Sequence, residues 1–206
     1  MKKTYILLLL VLLLCLCACS STGRGDTVAT TEPIVKTVLL PLPQDGMEFS
    51  FLSGAGAWRT VLTLNQDGTF SGIYLDSEMG EVGEGYPNGS AYISEFSGTF
   101  QLGEQLDDHS YRLTLTGLTT KNAAGEEWIE NEIRYVASAP HGLSDIESGA
   151  PSTDFILYLP DTPVDQLSEE LLTWWPYRYD QEDPKSTLSC YGILNVATNF
   201  GFFTAE

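Results

Sequence analysis

From residue 47 onward the chain alternates apolar and polar positions with a period of two, the signature of half-buried strands. The densest block is residues 56–102. Leu62 and Leu64 alternate with Val61 and Thr63, and Asn65-Gln66-Asp67-Gly68 supplies turn chemistry. Residues 69–75 return as a strand of aromatic and β-branched residues, and an acidic loop follows. Pro87-Asn88-Gly89 reverses the chain again, and Tyr92, Phe96, Phe100 and Leu102 fall at even spacing on one face of a long third strand. Phe70-Ser71-Gly72 and Phe96-Ser97-Gly98 repeat one another within this meander. Two readings stand: the glycines let the sheet curl under a covering aromatic ring, or they are incidental.

The same alternation extends over the rest of the chain. Residues 47–53 predict an opening strand with Phe49 and Phe51 on one face, and residues 108–118 one with Tyr111, Leu113 and Leu115 inward. Asn122 to Gly125 turns the chain, and residues 127–137 read as one returning strand. A proline- and glycine-bearing loop over 138–152 carries His141, and residues 154–159 form a further strand. One helix is predicted over 165–174, started by Pro163 and Asp165, with Leu167, Leu171 and Trp174 as its stripe. Residues 189–203 close the chain with one or two strands and a bend at Asn199-Phe200-Gly201. Many short strands joined by turns, with one late helix, predict a mainly β fold: a single antiparallel up-and-down β-barrel of about eight strands.

The N-terminus departs from this pattern. Lys2 and Lys3 precede an apolar run, Ile6 to Leu14, too short for a membrane span of ~20 residues. A basic start, an apolar middle and small residues near a cleavage point are the parts of a secretory signal. Leu16-Cys17-Ala18-Cys19 resembles the lipobox of bacterial lipoproteins, in which the cysteine is acylated and becomes the first mature residue. The resemblance implies a signal peptide over 1–18, a flexible tether over 19–38, a barrel domain over 39–206, and anchorage to the lipid bilayer outside the cytoplasm through Cys19. More than one acyl chain makes such an anchor stable. Cys190 is then the sole cysteine of the mature domain, so no internal disulfide is expected, and its apolar neighbours mark it as a buried small hydrophobe.

Charge narrows the partners. The chain carries 28 acidic and 10 basic residues, a formal net charge of −18, and cleavage removes Lys2 and Lys3 as well. Such a surface repels nucleic acid and anionic headgroups.

Gly56-Ala57-Trp58 resembles the G-x-W at the first strand of lipocalins, and residues 62–70 look like the strand-turn-strand of bacterial lipocalin-like domains. The segment also resembles lipoproteins of gut-type bacteria. The resemblance covers about 60 residues and implies a barrel with a ligand pocket. Arg134 is the strand candidate for the arginine that caps the lipocalin tryptophan.

Candidate chemistry is sparse. There is no H-E-x-x-H, no G-x-S-x-G elbow and no P-loop, and His109 and His141 read as loop residues. Asp76, Glu78, Glu81 and Glu84, interleaved with Gly80, Gly83 and Gly85, have the oxygen-rich character of a calcium loop, though not EF-hand spacing; the bland alternative is a solvated acidic loop. Trp174-Trp175-Pro176-Tyr177-Arg178-Tyr179 either caps one mouth of the barrel or lines a sugar or peptide site. The leading expectation is a non-enzymatic lipoprotein that binds a small apolar or sugar-like ligand in a roomy interior lined by Trp58, Phe70, Tyr74, Tyr92, Phe96 and Phe100. The alternatives are a structural or interaction protein of the cell envelope with a filled core, and an extracellular hydrolase.

Overall fold

The computed structural model describes residues 38–145, 147–178 and 185–206. The signal, Cys19 and nearly all of the tether lie outside these residues, as does Tyr179 of the aromatic run. Residues 37–206 form one compact unit.

Ten strands make one sheet: β1 Met47–Leu52, β2 Trp58–Leu64, β3 Thr69–Glu78, β4 Ser90–Asp107, β5 Ser110–Thr120, β6 Glu127–Glu130, β7 Ile133–Ala137, β8 Asp154–Tyr158, β9 Gly192–Asn195 and β10 Phe200–Phe203. Setting β6 and β7 aside, the other strands pair with antiparallel neighbours in chain order, and Ser50↔Phe203 joins β1 to β10. The result is the expected closed up-and-down barrel. Closure leaves the barrel wall without free edges.

The turns form as their residues dictate. Gly68 sits at φ +87° between β2 and β3, where its N–H donates to Asn65 O at 3.0 Å. The predicted single strand over 127–137 is instead a hairpin, β6 and β7. Asn131 and Glu132 take φ of 50° and 62°, the two left-handed residues of a tight hairpin turn, without the usual glycine. β7 runs parallel to β4 and pairs with its upper part, Ser90–Ile93.

The register lays out the interior in layers, because residues opposite one another on adjacent strands share a face. From the mouth downward, β2, β3 and β4 contribute Trp58, Asp76 and Tyr92; then Thr60, Tyr74 and Ser94; then Leu62, Gly72 and Phe96; then Leu64, Phe70 and Gly98. The upper two layers are polar and the lower two apolar. In the lower layers each phenylalanine lies over the glycine across from it. A Cβ on Gly72 would come within 2.6 Å of the Phe96 ring, and one on Gly98 would fall on the Phe70 ring and the Gly117 carbonyl. Of the two readings of the Phe-Ser-Gly repeat, the covered glycine is the one found. Beside it, a bulge between Thr99 and Phe100 bends the β4–β5 ladder. Phe49, Leu113, Phe155, Leu157 and Phe202 fill the remaining space, all fully buried.

A second apolar layer covers the outside of β8–β10. Leu167, Leu171, Leu172, Trp175, Leu188 and Cys190 pack against Leu194 and Phe203, which is why all four residues of β9 are buried. The helix on this side, α1 Glu169–Trp174, is shorter than predicted and begins later. Ser168 caps it, its Oγ accepting from Leu171 N at 3.2 Å, whereas Pro163 precedes a separate 3-10 turn, Val164–Gln166. The closing bend also falls earlier than expected: Asn199, at φ 59°, ends the turn, and Phe200 and Gly201 are already in β10. Burial pushes the Cys190 thiol up to about 11, which leaves it protonated and inert.

Substituting Gly98→Ala should cost about 1–3 kcal/mol, because the new methyl has neither space nor a movable neighbour on its backbone side. Gly117→Ala, with no heavy atom within 4 Å of its would-be Cβ, should change stability by less than about 0.5 kcal/mol. Urea unfolding of the two variants beside the parent tests this; equal midpoints for both would contradict the packing described.

Candidate functional site

The upper layers of the barrel open onto a cleft of about 370 Å³. Tyr74, Asp76 and Tyr92 form one wall, from β3 and β4. Ser138 to His141, Ser144, Asp145 and Gly149, from the following loop, form the other. Asp76 lies directly across the ladder from Tyr92, and Tyr74 from Ser94. The six expected ligand-binding residues are therefore split. Phe70, Phe96 and Phe100 are buried in the packed base, where Phe70 and Phe100 are 4.9 Å apart between ring centroids. Tyr74 and Tyr92 reach the cleft, and Trp58 stands at the mouth against Phe51 and His141, at 4.7 Å from each. The expected roomy interior is absent because the base is filled by rings and the mouth by a loop.

That loop is a plug. Leu143 is fully buried in the barrel core. The Thr60 hydroxyl, itself fully buried, donates to His141 O at 2.7 Å. Asn195 Nδ2 donates to Gly142 O at 2.8 Å and to Ser152 Oγ at 3.0 Å. Gly142, at φ +92°, crosses directly over Phe51 and Phe202, where any side chain would meet their rings. Asp145 holds the outer turn by accepting from the N–H groups of Glu147 and Ser148 and from the Ser148 hydroxyl. Nothing in the local sequence announces this role, since the partners lie on distant strands.

The plug sets the state of its histidine. The His141 ring contacts Phe51, Trp58, Tyr74 and Phe200, at centroid distances of 4.7 to 5.6 Å. Burial among these rings lowers its pKa, and nearby Asp76 opposes that shift. Burial also raises the Tyr74 hydroxyl, with Asp76 adding to the effect, and its O–H donates to Asp76 Oδ2 at 3.4 Å. Tyr92 is raised by burial and then by Glu81, to whose carboxylate it donates at 3.2 Å. The Ser144 hydroxyl is buried without a hydrogen-bond partner, so it makes no nucleophile–base contact with His141. His141 lies in a loop, as expected, and its ring in addition forms a packed wall of the cleft.

The remaining candidates scatter. Glu81 binds Arg134, with Arg134 Nη2 at 2.6 Å, and that pairing lowers the Glu81 pKa. Arg134 also lies over the Tyr86 ring at 5.1 Å, so it caps Tyr86 and not Trp58 as the lipocalin resemblance implied. Glu78 and Glu84 are exposed. Among the described residues, no group of three or more His, Cys, Asp or Glu side chains is placed to hold a metal ion. Of the aromatic run, Trp174 donates its indole N–H to Asn199 O at 2.9 Å and packs edge-on to Phe51 at 4.8 Å, sealing the top of the β1–β10 seam. His109 sits in the β4–β5 turn. No family model, no curated protein and no solved structure matches the chain.

A histidine whose folded pKa lies below its ordinary 6.5 contributes stability that is present above that value and is lost as pH falls through the folded value. The melting temperature should therefore fall as pH drops below 6.5, and His141→Leu should lack that component. The lowered carboxylates act separately, Asp67, Asp107 and Asp145 from their ordinary 3.8 downward and Glu81 from its ordinary 4.5. Melting curves across this range decide it: a flat profile between neutrality and pH 5, about where imidazole titration ends, would contradict the neutral packed imidazole.

Proposed function

We propose that this chain is a lipid-anchored, extracytoplasmic binding protein that takes a small ligand at the mouth of its barrel and not in its interior. The observation that carries the binding half of the reading is the gradient along the barrel axis. The base is packed with rings, whereas the two polar layers above it face a cleft with aromatic, carboxylate, imidazole and hydroxyl groups on its walls. The cleft volume falls within the range of small-ligand sites, ~300–1,000 Å³. A purely apolar ligand is a poor match for such walls. A sugar-like one, with an apolar face for the tyrosine rings and polar groups for Asp76 and the tyrosine hydroxyls, is a better match.

The anchoring half rests on sequence: the basic start, the short apolar run and the lipobox-like Leu16-Cys17-Ala18-Cys19. The lipocalin-like label rests on the Gly56-Ala57-Trp58 motif together with the barrel topology.

A second reading, an interaction protein of the envelope, is favoured by the filled base and by one exposed apolar patch. Met79, Val82 and Ile129 stand exposed where the acidic loop meets the β6–β7 hairpin.

Two measurements test the proposal. Labelled palmitate should enter the protein and be lost in Cys19→Ser; incorporation that survives the substitution would remove Cys19 as the anchor. Native mass spectrometry of detergent-released protein should reveal a small bound mass that is lost in Ala139→Trp, which fills the cleft. A bound mass that persists in that variant would place binding elsewhere, and the exposed patch would then be the surface to follow.

A further inference from the structure

The charges around the cleft say more about its ligand. Among the described residues that line it there is no lysine or arginine, and two are carboxylates, Asp76 and Asp145. Asp145 Oδ1 is spent on its own turn. Asp76 differs. It is half-buried, it forms no ion pair among the described residues, and its one hydrogen bond is the long contact from Tyr74. Nearby Glu81, by contrast, has its counter-charge in Arg134. A half-buried carboxylate without a cation is an unfilled electrostatic demand, because partial burial weakens the water that would otherwise solvate it.

Its surroundings suit one chemistry. The Tyr74 and Tyr92 rings flank it, and both hydroxyls donate to carboxylates, which increases the electron density on the rings. Electron-rich ring faces attract cations, by ~0.5–2 kcal/mol each according to exposure. Across the cleft, burial keeps His141 neutral, so the far wall carries no competing positive charge. Ser144, on that wall, is 5% exposed, and its hydroxyl is buried without a partner, so it adds no positive charge there either. The long-range field has the same sign, with a net charge of −18 drawing cations toward the protein.

Resting on the reading of the cleft as a ligand site, we infer that it binds small organic molecules through a protonated primary amine. The ammonium pairs with Asp76, and its alkyl stem lies against Tyr74, Tyr92 and His141. Anionic ligands are excluded by Asp76 itself.

Isothermal titration calorimetry on the detergent-solubilised full-length protein tests this with n-butylammonium chloride as the probe. Sodium butyrate, n-butanol and glucose serve as the anionic, neutral and sugar comparators. The ammonium should give saturable binding that butyrate and butanol do not. Asp76→Asn should weaken it by about tenfold or more, the loss of one charge-assisted contact. Tyr92→Leu, which removes one ring face and keeps the carboxylate, should weaken it by a smaller factor. Glu84→Gln, an exposed carboxylate outside the cleft, should leave it unchanged. Equal binding by Asp76→Asn and the parent, or an equal loss in Glu84→Gln, would overturn the assignment by reducing it to general charge. Glucose binding that is lost in Ala139→Trp, with no ammonium binding, would overturn the amine and leave the cleft as a ligand site. Absence of binding by every probe would overturn the amine, and persistence of a co-purified mass in Ala139→Trp would separately overturn the cleft.

Discussion

The reciprocal exchange of phenylalanine and glycine across β3 and β4 is the contact on which the rest depends. Phe70 lies over Gly98 and Phe96 over Gly72, so two large rings occupy the space that two missing side chains leave. An eight-stranded barrel has an interior just wide enough to be filled by side chains or to hold one small ligand. Here the exchange decides between those outcomes. With Phe49, Phe100 and Phe155 buried in the same core, the base is solid, and the polar side chains stand at the other end.

That end is stabilised by different means. On β2–β4 the upper layers are polar, so a loop is drawn in over them, its His141 ring packed among Phe51, Trp58, Tyr74 and Phe200 and its backbone held by buried hydrogen bonds from Thr60 and Asn195. Such bonds contribute ~1 kcal/mol each when made, and leaving their partners unmade costs more. The plug is thus positioned by directional contacts, and the cleft beside it takes its shape from them. On the outside, the covering layer around Leu171 and Trp175 secures β8–β10, the side where the barrel is joined through the single pair Ser50↔Phe203. Trp174 bridges the two systems, reaching Phe51 from the outer layer.

Much of this was legible in the chain. Alternation located β2 to β5, Asn65 to Gly68 located its turn, and the Phe-Ser-Gly repeat left covered glycines as one of two readings, the one found. The β6–β7 hairpin was not legible, because Asn131-Glu132 takes the left-handed turn without glycine. The helix start was misplaced because Pro163, five residues ahead, competes as a signal with the true cap, Ser168. The plug could not be read at all: its hydrogen bonds span 81 and 53 residues, and local pattern carries no information over that distance. Asp76 is the instructive case. It continues the even-numbered inward series Phe70, Gly72, Tyr74, yet a strand read as ending at Leu75 left it in the acidic loop.

The polar gradient also gives the barrel a direction. The chain enters at the base, where Leu40 and Leu42 are buried and the Leu40 N–H donates to Gln66 O at 2.8 Å, beside the β2–β3 turn. The cleft lies at the opposite end of the same strands, two polar layers above the rings. The first described residues therefore pack against the base, two layers of rings away from the cleft. Filling the base and plugging the mouth are then parts of one arrangement. Packed rings make the base rigid, and the plug's hydrogen bonds fix the opposite end, where the Asp76 carboxylate and the Tyr74 and Tyr92 side chains line the cleft.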